Sequence, residues 1–132
     1  MNHVKAYLVE DSPVITENLI AALQELADVA VVGNSGTEAE ASAWLTDSDH
    51  DWHLAIVDIF LHEGSGLEVL AACRQRRPDQ KMVVLSNYAT PEIRAHSQKL
   101  GADAIFDKST EIDGLIDYCL SFGELIKSES IE

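Results

Sequence analysis

Short apolar runs alternate with longer stretches in which apolar positions return every three or four residues, and the alternation repeats five times along the chain. The pattern predicts strands at Val4–Val9, Val29–Val32, Leu54–Val57, Met82–Leu85 and Ala104–Phe106, each followed by a helix. Strands that alternate with helices in this way form an α/β domain around a parallel sheet. Helix starts are marked by residue type. Ser12-Pro13 and Thr90-Pro91 each offer an N-cap hydroxyl followed by a first-turn proline, and Ser35 with Glu38 and Ser65 with Glu68 fit capping boxes for the second and third helices. Gly101 stands where the fourth helix needs a left-handed C-cap, and the fifth helix is expected from about Glu111 to about Ile126.

Few strand orders suit five βα units. The expectation is a flavodoxin-like (βα)5 doubly wound parallel sheet in the order 2-1-3-4-5 with right-handed crossovers. One domain is expected over residues 1–127, with a short polar tail at 128–132 and no room for an output domain after the fifth helix. No signal peptide and no apolar stretch of membrane-spanning length is visible, so a cytoplasmic protein without membrane contact is expected.

Charge narrows the partners. With 23 acidic and 9 basic residues the formal charge is -14, which repels nucleic-acid backbones and argues against direct nucleic-acid binding. The two cysteines, Cys73 and Cys119, lie far apart without a CxxC spacing and read as ordinary helix residues.

Chemistry concentrates just beyond the strands, where open parallel sheets bind ligands near the switch in strand order. The first strand runs into Glu10-Asp11, the third into Asp58, the fourth into Ser86 and the fifth into Asp107-Lys108, whereas the second runs into Gly33-Asn34. Three carboxylates in one basin repel one another by about 4 kcal/mol per pair at about 4 Å and an effective dielectric of about 20. They therefore need a proton or a cation. Hard oxygen ligands without thiolate or imidazole partners favour Mg2+. Lys108 and Ser86 supply an ammonium and a hydroxyl suited to phosphoryl oxygens, beside Asp58 as a carboxylate nucleophile. An acidic pair, a serine or a lysine alone would read as a helix cap, a strand-end cap or a solvated side chain. Asp58 is harder to dismiss, because it closes the apolar run Leu54-Ala55-Ile56-Val57.

Over essentially its whole length the chain resembles the receiver domains of two-component response regulators. The resemblance rests on Leu8-Val9-Glu10-Asp11-Ser12, Val57-Asp58-Ile59-Phe60-Leu61, Gly66 eight residues after Asp58, Leu85-Ser86 and Phe106-Asp107-Lys108-Ser109. It implies that Asp58 forms an acyl phosphate, that Asp11, Asp58 and the Phe60 carbonyl ligate Mg2+ with Glu10 acting through water, and that Ser86 and Lys108 hold phosphoryl oxygens. It also implies a histidine kinase or histidine phosphotransfer protein as donor, an unidentified downstream protein, and a docking or homodimer face made by helix four, strand five and helix five. The expected role is a standalone signalling receiver rather than a turnover enzyme, with a receiver-like interaction module that works without phosphorylation as the alternative. A haloacid dehalogenase-type phosphatase would want two aspartates separated by one residue after the first strand, where Glu10 and Asp11 are adjacent. A flavin carrier would want a neutral phosphate loop there.

Departures from the family pattern fall at His62 and Ser109, where many relatives carry proline, and at Ile105, where the family has its switch aromatic. His62 reads as an exposed loop histidine, with contact to the phosphorylation basin as the alternative. His50 and His53 read as solvated loop residues rather than a metal pair, and Trp44 and Trp52 as packing around the second helix and its following loop. Helix five carries apolar residues on more than one face, so about half of them are left for contacts outside the core.

Overall fold

The computed structural model describes residues 3–130. Five strands and five helices alternate: β1 (Val4–Val9), α1 (Pro13–Leu26), β2 (Val29–Ser35), α2 (Glu38–Leu45), β3 (Leu54–Val57), α3 (Gly66–Ala72), β4 (Lys81–Ser86), α4 (Pro91–Lys99), β5 (Ala104–Asp107) and α5 (Ile112–Ser130). All strand pairs are parallel and the sheet order is β2-β1-β3-β4-β5, as the strand pattern predicts.

Alternation of side chains along each strand splits the core into two layers. Ala6, Leu8, Leu54, Ile56, Val83 and Leu85 pack with Leu19, Leu23, Leu115, Cys119 and Phe122 on one face. On the other face Tyr7, Val9, Ala55, Val57, Met82 and Val84 pack with Ala41, Leu45, Val69 and Leu70. The third strand is buried at every residue because both its faces are covered. Ile105 joins the second layer and Phe106 the first, where it meets the Tyr118 ring edge-on at 6.0 Å.

The end of β2 and the start of α2 both differ from expectation, and one cause explains the two. The register slips between Ala6 and Tyr7, which pair with Val31 and Gly33, so Val32 is an extra residue and β2 continues to Ser35 instead of ending at Val32. Gly33 lies under the Tyr7 ring, where an added Cβ would stand 2.8 Å from a ring carbon. Ser35 is thereby held in the sheet opposite Val9, and the N-cap of α2 passes to Thr37. Thr37 Oγ1 takes the Glu40 N–H at 3.2 Å and bonds the Glu40 carboxylate at 3.2 Å, so the capping pair is Thr37 with Glu40, not Ser35 with Glu38. Ser12, Ser65 and Thr90 cap α1, α3 and α4 as the sequence predicts, but Ser65 Oγ takes the Leu67 N–H and its own N–H goes to Glu38, so the Ser65–Glu68 capping box does not form. Gly101 follows α4 at φ 105°, which a side chain would strain. The last helix runs on to Ser130, past the expected end near Ile126.

On α5 the buried stripe is Leu115, Cys119, Phe122 and Ile126. Leu120 and Leu125 are exposed, and Leu120 lies beside Val4 and Ala27 at the edge shared with α1. Trp52 is buried with its indole N–H on the Leu45 carbonyl at 3.0 Å. Trp44 is stacked between Tyr7 and His50, at centroid distances of 4.3 and 4.2 Å.

Candidate functional site

The switch in strand order lies between β1 and β3, and the chain leaves the sheet there through acidic residues. The Asp58 N–H still bonds the Val9 carbonyl at 2.9 Å, so this aspartate is held at the last rung of the ladder while its side chain points beyond it. Its Oδ1 takes the Phe60 N–H at 3.2 Å. Its Oδ2 takes the Lys108 ammonium at 2.9 Å.

Lys108 reaches this point from the end of β5. Its backbone N–H donates to the Ser86 carbonyl at 2.9 Å, and its ammonium also bonds Glu10 Oε1 at 2.5 Å. Glu10 is held on its other side by the Ser12 N–H at 3.1 Å, the same turn that starts α1. Side-chain exposure is 10% for Lys108, 4% for Glu10 and 10% for Asp58, so the three charges interact where water screens them poorly. Burial alone would push the Lys108 ammonium down, but its bonds to Glu10 and Asp58 outweigh that and hold it above the ordinary lysine range. Burial pushes the Glu10 carboxyl up, against the Lys108 and Ser12 bonds that pull it down.

Asp11 completes the acidic group. One oxygen from each of Glu10, Asp11 and Asp58 lies within 4.8 Å of the others, close enough to share a cation. Asp11 Oδ2 takes the His62 N–H at 2.6 Å, and the His62 ring nitrogen stands 3.6 Å from it. The ring is 91% exposed, so the structure places His62 both in a solvated loop and against the basin. Ser86 is fully buried at the end of β4, with its hydroxyl oxygen accepting the Tyr88 N–H at 3.1 Å.

Every site residue read from the sequence is therefore gathered at one end of the sheet. His50 and His53 are not part of it. His53 Nδ1 accepts the Lys5 backbone N–H at 3.0 Å and His50 Nδ1 lies 2.9 Å from the Trp44 carbonyl, so each ring is spent on local structure.

The contacts of Glu38 with the β3–α3 loop and the role of Gly64 escaped the sequence reading, whereas Gly66 and Phe60 were read from it. The β3–α3 loop is pinned from α2: Glu38 Oε1 accepts the Ser65 N–H at 2.9 Å, and the Glu38 N–H donates to the Glu63 carbonyl at 3.1 Å. Gly64 adopts φ 85°, with Glu38 so close that a Cβ would stand 2.3 Å from its own Cβ. Gly66 backs directly onto Asp58, where a Cβ would fall 2.1 Å from the Asp58 carbonyl oxygen. At the mouth Phe60 and Tyr88, 50% and 62% exposed, meet edge to face with centroids 5.2 Å apart.

Residues 6–119 match the family model described as response regulator receiver domain. Among curated proteins the chain is similar to the photosynthetic apparatus regulatory protein RegA of Rhodobacter capsulatus, 27% identical over 125 residues that cover 90% of this chain and 62% of that protein. It is also similar to the DNA-binding transcriptional activator DevR/DosR of Mycobacterium tuberculosis, 31% identical over 75% of this chain and 45% of that protein. The chain thus spans less than two thirds of the length of each of these relatives. Among solved structures, a CheY-like receiver domain protein from Methanospirillum hungatei superposes with a TM-score of 0.79 at 23% identity, covering 97% of this chain and 99% of that one. A BeF3-activated DrrB receiver domain superposes at 0.76 and 22% identity, covering 93% and 99%. Receiver domains as a family bind Mg2+ at an acidic cluster, and the Glu10, Asp11 and Asp58 oxygens suit a hard divalent cation.

Proposed function

Because the chain belongs to the response regulator receiver family, a family of signalling domains that accept phosphoryl groups from histidine kinases, we propose that Asp58 is its phosphoacceptor. The observation that carries the reading is the Asp58 carboxylate, held at the end of β3 within 2.9 Å of the Lys108 ammonium. In the proposed step an Asp58 oxygen bonds to phosphorus as the bond from phosphorus to the donor imidazole nitrogen breaks. The imidazole leaves with that electron pair.

Each neighbouring group has a part. Lys108 exchanges a carboxylate oxygen for a phosphoryl oxygen, which keeps its charge paired while charge builds on the transferred group. Ser86 gives its hydroxyl hydrogen to a second phosphoryl oxygen. Asp11, Asp58 and the Phe60 carbonyl would hold Mg2+ directly and Glu10 through water. When bound, the ion neutralises charge that three carboxylates and a phosphoryl group would otherwise concentrate in one basin.

The donor is a histidine kinase or histidine phosphotransfer protein, and the setting is cytoplasmic. We assign donor docking to the apolar groove between α1 and α5, where Ile15, Leu19, Ala22 and Ile112 lie beside Lys108. The output is a phosphorylation-dependent protein surface on α4, β5 and α5, for a downstream protein or a second copy of the chain. Phosphorylation by acetyl phosphate, read by intact mass in wild type and Asp58→Asn, tests the assignment.

A further inference from the structure

Away from the acidic basin, one side chain binds three separate elements. The Arg94 guanidinium on α4 donates from Nε to the Ala89 carbonyl at 2.9 Å, from Nη1 to the Ile105 carbonyl at 3.3 Å and from Nη2 to Glu111 Oε1 at 2.8 Å. The same Glu111 oxygen accepts the Asp107 N–H at 2.8 Å. Both side chains are 40% exposed, and an isolated ion pair at that exposure contributes little because water screens it. Arg94 is not so isolated. Its planar fork spends donors on two backbone carbonyls as well as on the carboxylate, so its main effect is to fix geometry.

The segments joined by this fork are the two that carry Ser86 and Lys108. Ala89 lies in the loop that leaves β4 just after Ser86, and Tyr88 of that loop bonds the Ser86 hydroxyl oxygen. Asp107 immediately precedes Lys108, whose N–H bonds the Ser86 carbonyl. A polar chain thus runs outside the site from the β4–α4 loop through Arg94 and Glu111 to the Lys108 backbone. Ile105, at the position where relatives carry a switch aromatic, offers this chain only its carbonyl; its side chain belongs to the apolar layer.

We propose that Arg94, acting through the Ala89 carbonyl and Glu111, is a positioning residue for the phosphoacceptor site. It sets the joint geometry of the β4–α4 loop and the Lys108 segment, and it carries occupancy of the site to the first turn of α5. The inference rests on the receiver reading above. When Ser86 is drawn toward a phosphoryl group, the Ala89 carbonyl shifts with its loop, and hydrogen bonds weaken steeply off line, so Arg94 keeps all three partners only if Glu111 follows. Coupling of this kind is reciprocal: a fork that responds to the site also sets how tightly the site holds its ligand.

The test uses the full chain with Mg2+ and beryllofluoride, a mimic of the phosphoryl group on a carboxylate. Wild type, Arg94→Gln, Arg94→Lys and Glu111→Gln are compared. Backbone amide shifts of Asp113 to Ile116 are followed through a beryllofluoride titration, and urea midpoints report folding separately. In Arg94→Gln and Glu111→Gln the shift response on α5 is expected to fall about fivefold and the titration midpoint to rise about fivefold, the lower end of typical coupling. Arg94→Lys keeps the charge but cannot span three acceptors, so it should not restore the response. Wild-type responses on α5 in the two Gln variants overturn the proposal whatever their urea midpoints, and so does full rescue by lysine. If Arg94→Gln fails to fold, Glu111→Gln decides the matter, since it keeps an oxygen for the Asp107 N–H. A wild-type chain that ignores beryllofluoride overturns the receiver reading and this inference together. A normal wild-type response with unaltered variants overturns this inference alone.

Discussion

The Lys108 ammonium stands 2.9 Å from Asp58 Oδ2, with Glu10 on its other side, so a single cation compensates two nearly buried carboxylates. Removing it leaves both charges to repel each other and removes the donor that would meet a phosphoryl oxygen. Lys108→Ala is therefore expected to slow phosphorylation of Asp58 by about 100-fold, the effect of deleting one preorganised donor from a reacting site. Lys99→Ala, on the exposed end of α4, should leave the rate unchanged. The rate of mass gain with acetyl phosphate measures both, and equal effects at the two lysines would remove Lys108 from the site.

Gly66 and Gly123 predict opposite outcomes for the same substitution. An added Cβ at Gly66 falls 2.1 Å from the Asp58 carbonyl oxygen, so Gly66→Ala must push the β3–α3 loop off Asp58. It should cost about 1–3 kcal/mol, as overpacking does, and slow phosphorylation as well. At Gly123, inside α5, the nearest atom to a new Cβ is Val4 Cγ2 at an ordinary 3.7 Å. Gly123→Ala should stabilise by about 0.5–1 kcal/mol through helix propensity. Urea midpoints that move in the same direction for both would contradict this packing account.

These contrasts show where the sequence was informative. The apolar run Leu54-Ala55-Ile56-Val57 and its terminal Asp58 are local signals, and β3 and the basin lie where they predict. The end of strand two is not legible in the sequence, because the slip at Val32 depends on how β2 pairs with β1, which no local pattern encodes. The same holds for the supports of the site. Glu38 reaches Ser65 across 27 residues and Arg94 reaches Glu111 across 17, and residues that distant share no periodicity. That His62 can reach the basin is legible from its place just after Asp58, but its particular contact with Asp11 needs the folded loop.

Phe60 and Tyr88 close an edge-to-face pair at the mouth of the site. An acyl phosphate is lost when water attacks phosphorus in line, and two bulky rings with no general base between them limit that approach. A long-lived phosphorylated form is expected, and Phe60→Asn and Tyr88→Glu should each shorten its lifetime several-fold. Decay of the phosphorylated mass after donor removal tests this. Unchanged or slower decay in both variants would show that the rings do not guard the phosphorus.

His53 links folding to pH. Burial pushes its ring below the ordinary 6.5, against the pull of Asp51 and Asp79, and its Nδ1 must stay unprotonated to accept the Lys5 N–H. As pH falls through 6.5 the unfolded chain takes up a proton that the folded chain does not yet bind, so stability present above 6.5 is lost below it. His53→Asn keeps an acceptor without the titration. Between about pH 7.5 and about pH 5.5 the urea midpoint of wild type should drop further than that of the variant. Parallel pH dependence would assign the loss to other groups.

Asp58 is proposed to accept a phosphoryl group in a basin that needs a divalent cation. The most direct test of this assignment is the intact mass of the chain after incubation with acetyl phosphate and Mg2+, repeated with a chelator and with Asp58→Asn. One added phosphoryl group is expected in wild type with Mg2+, and none in the chelated sample or the variant. A chain that gains no mass under any condition, or gains it equally in Asp58→Asn or without the ion, would contradict it.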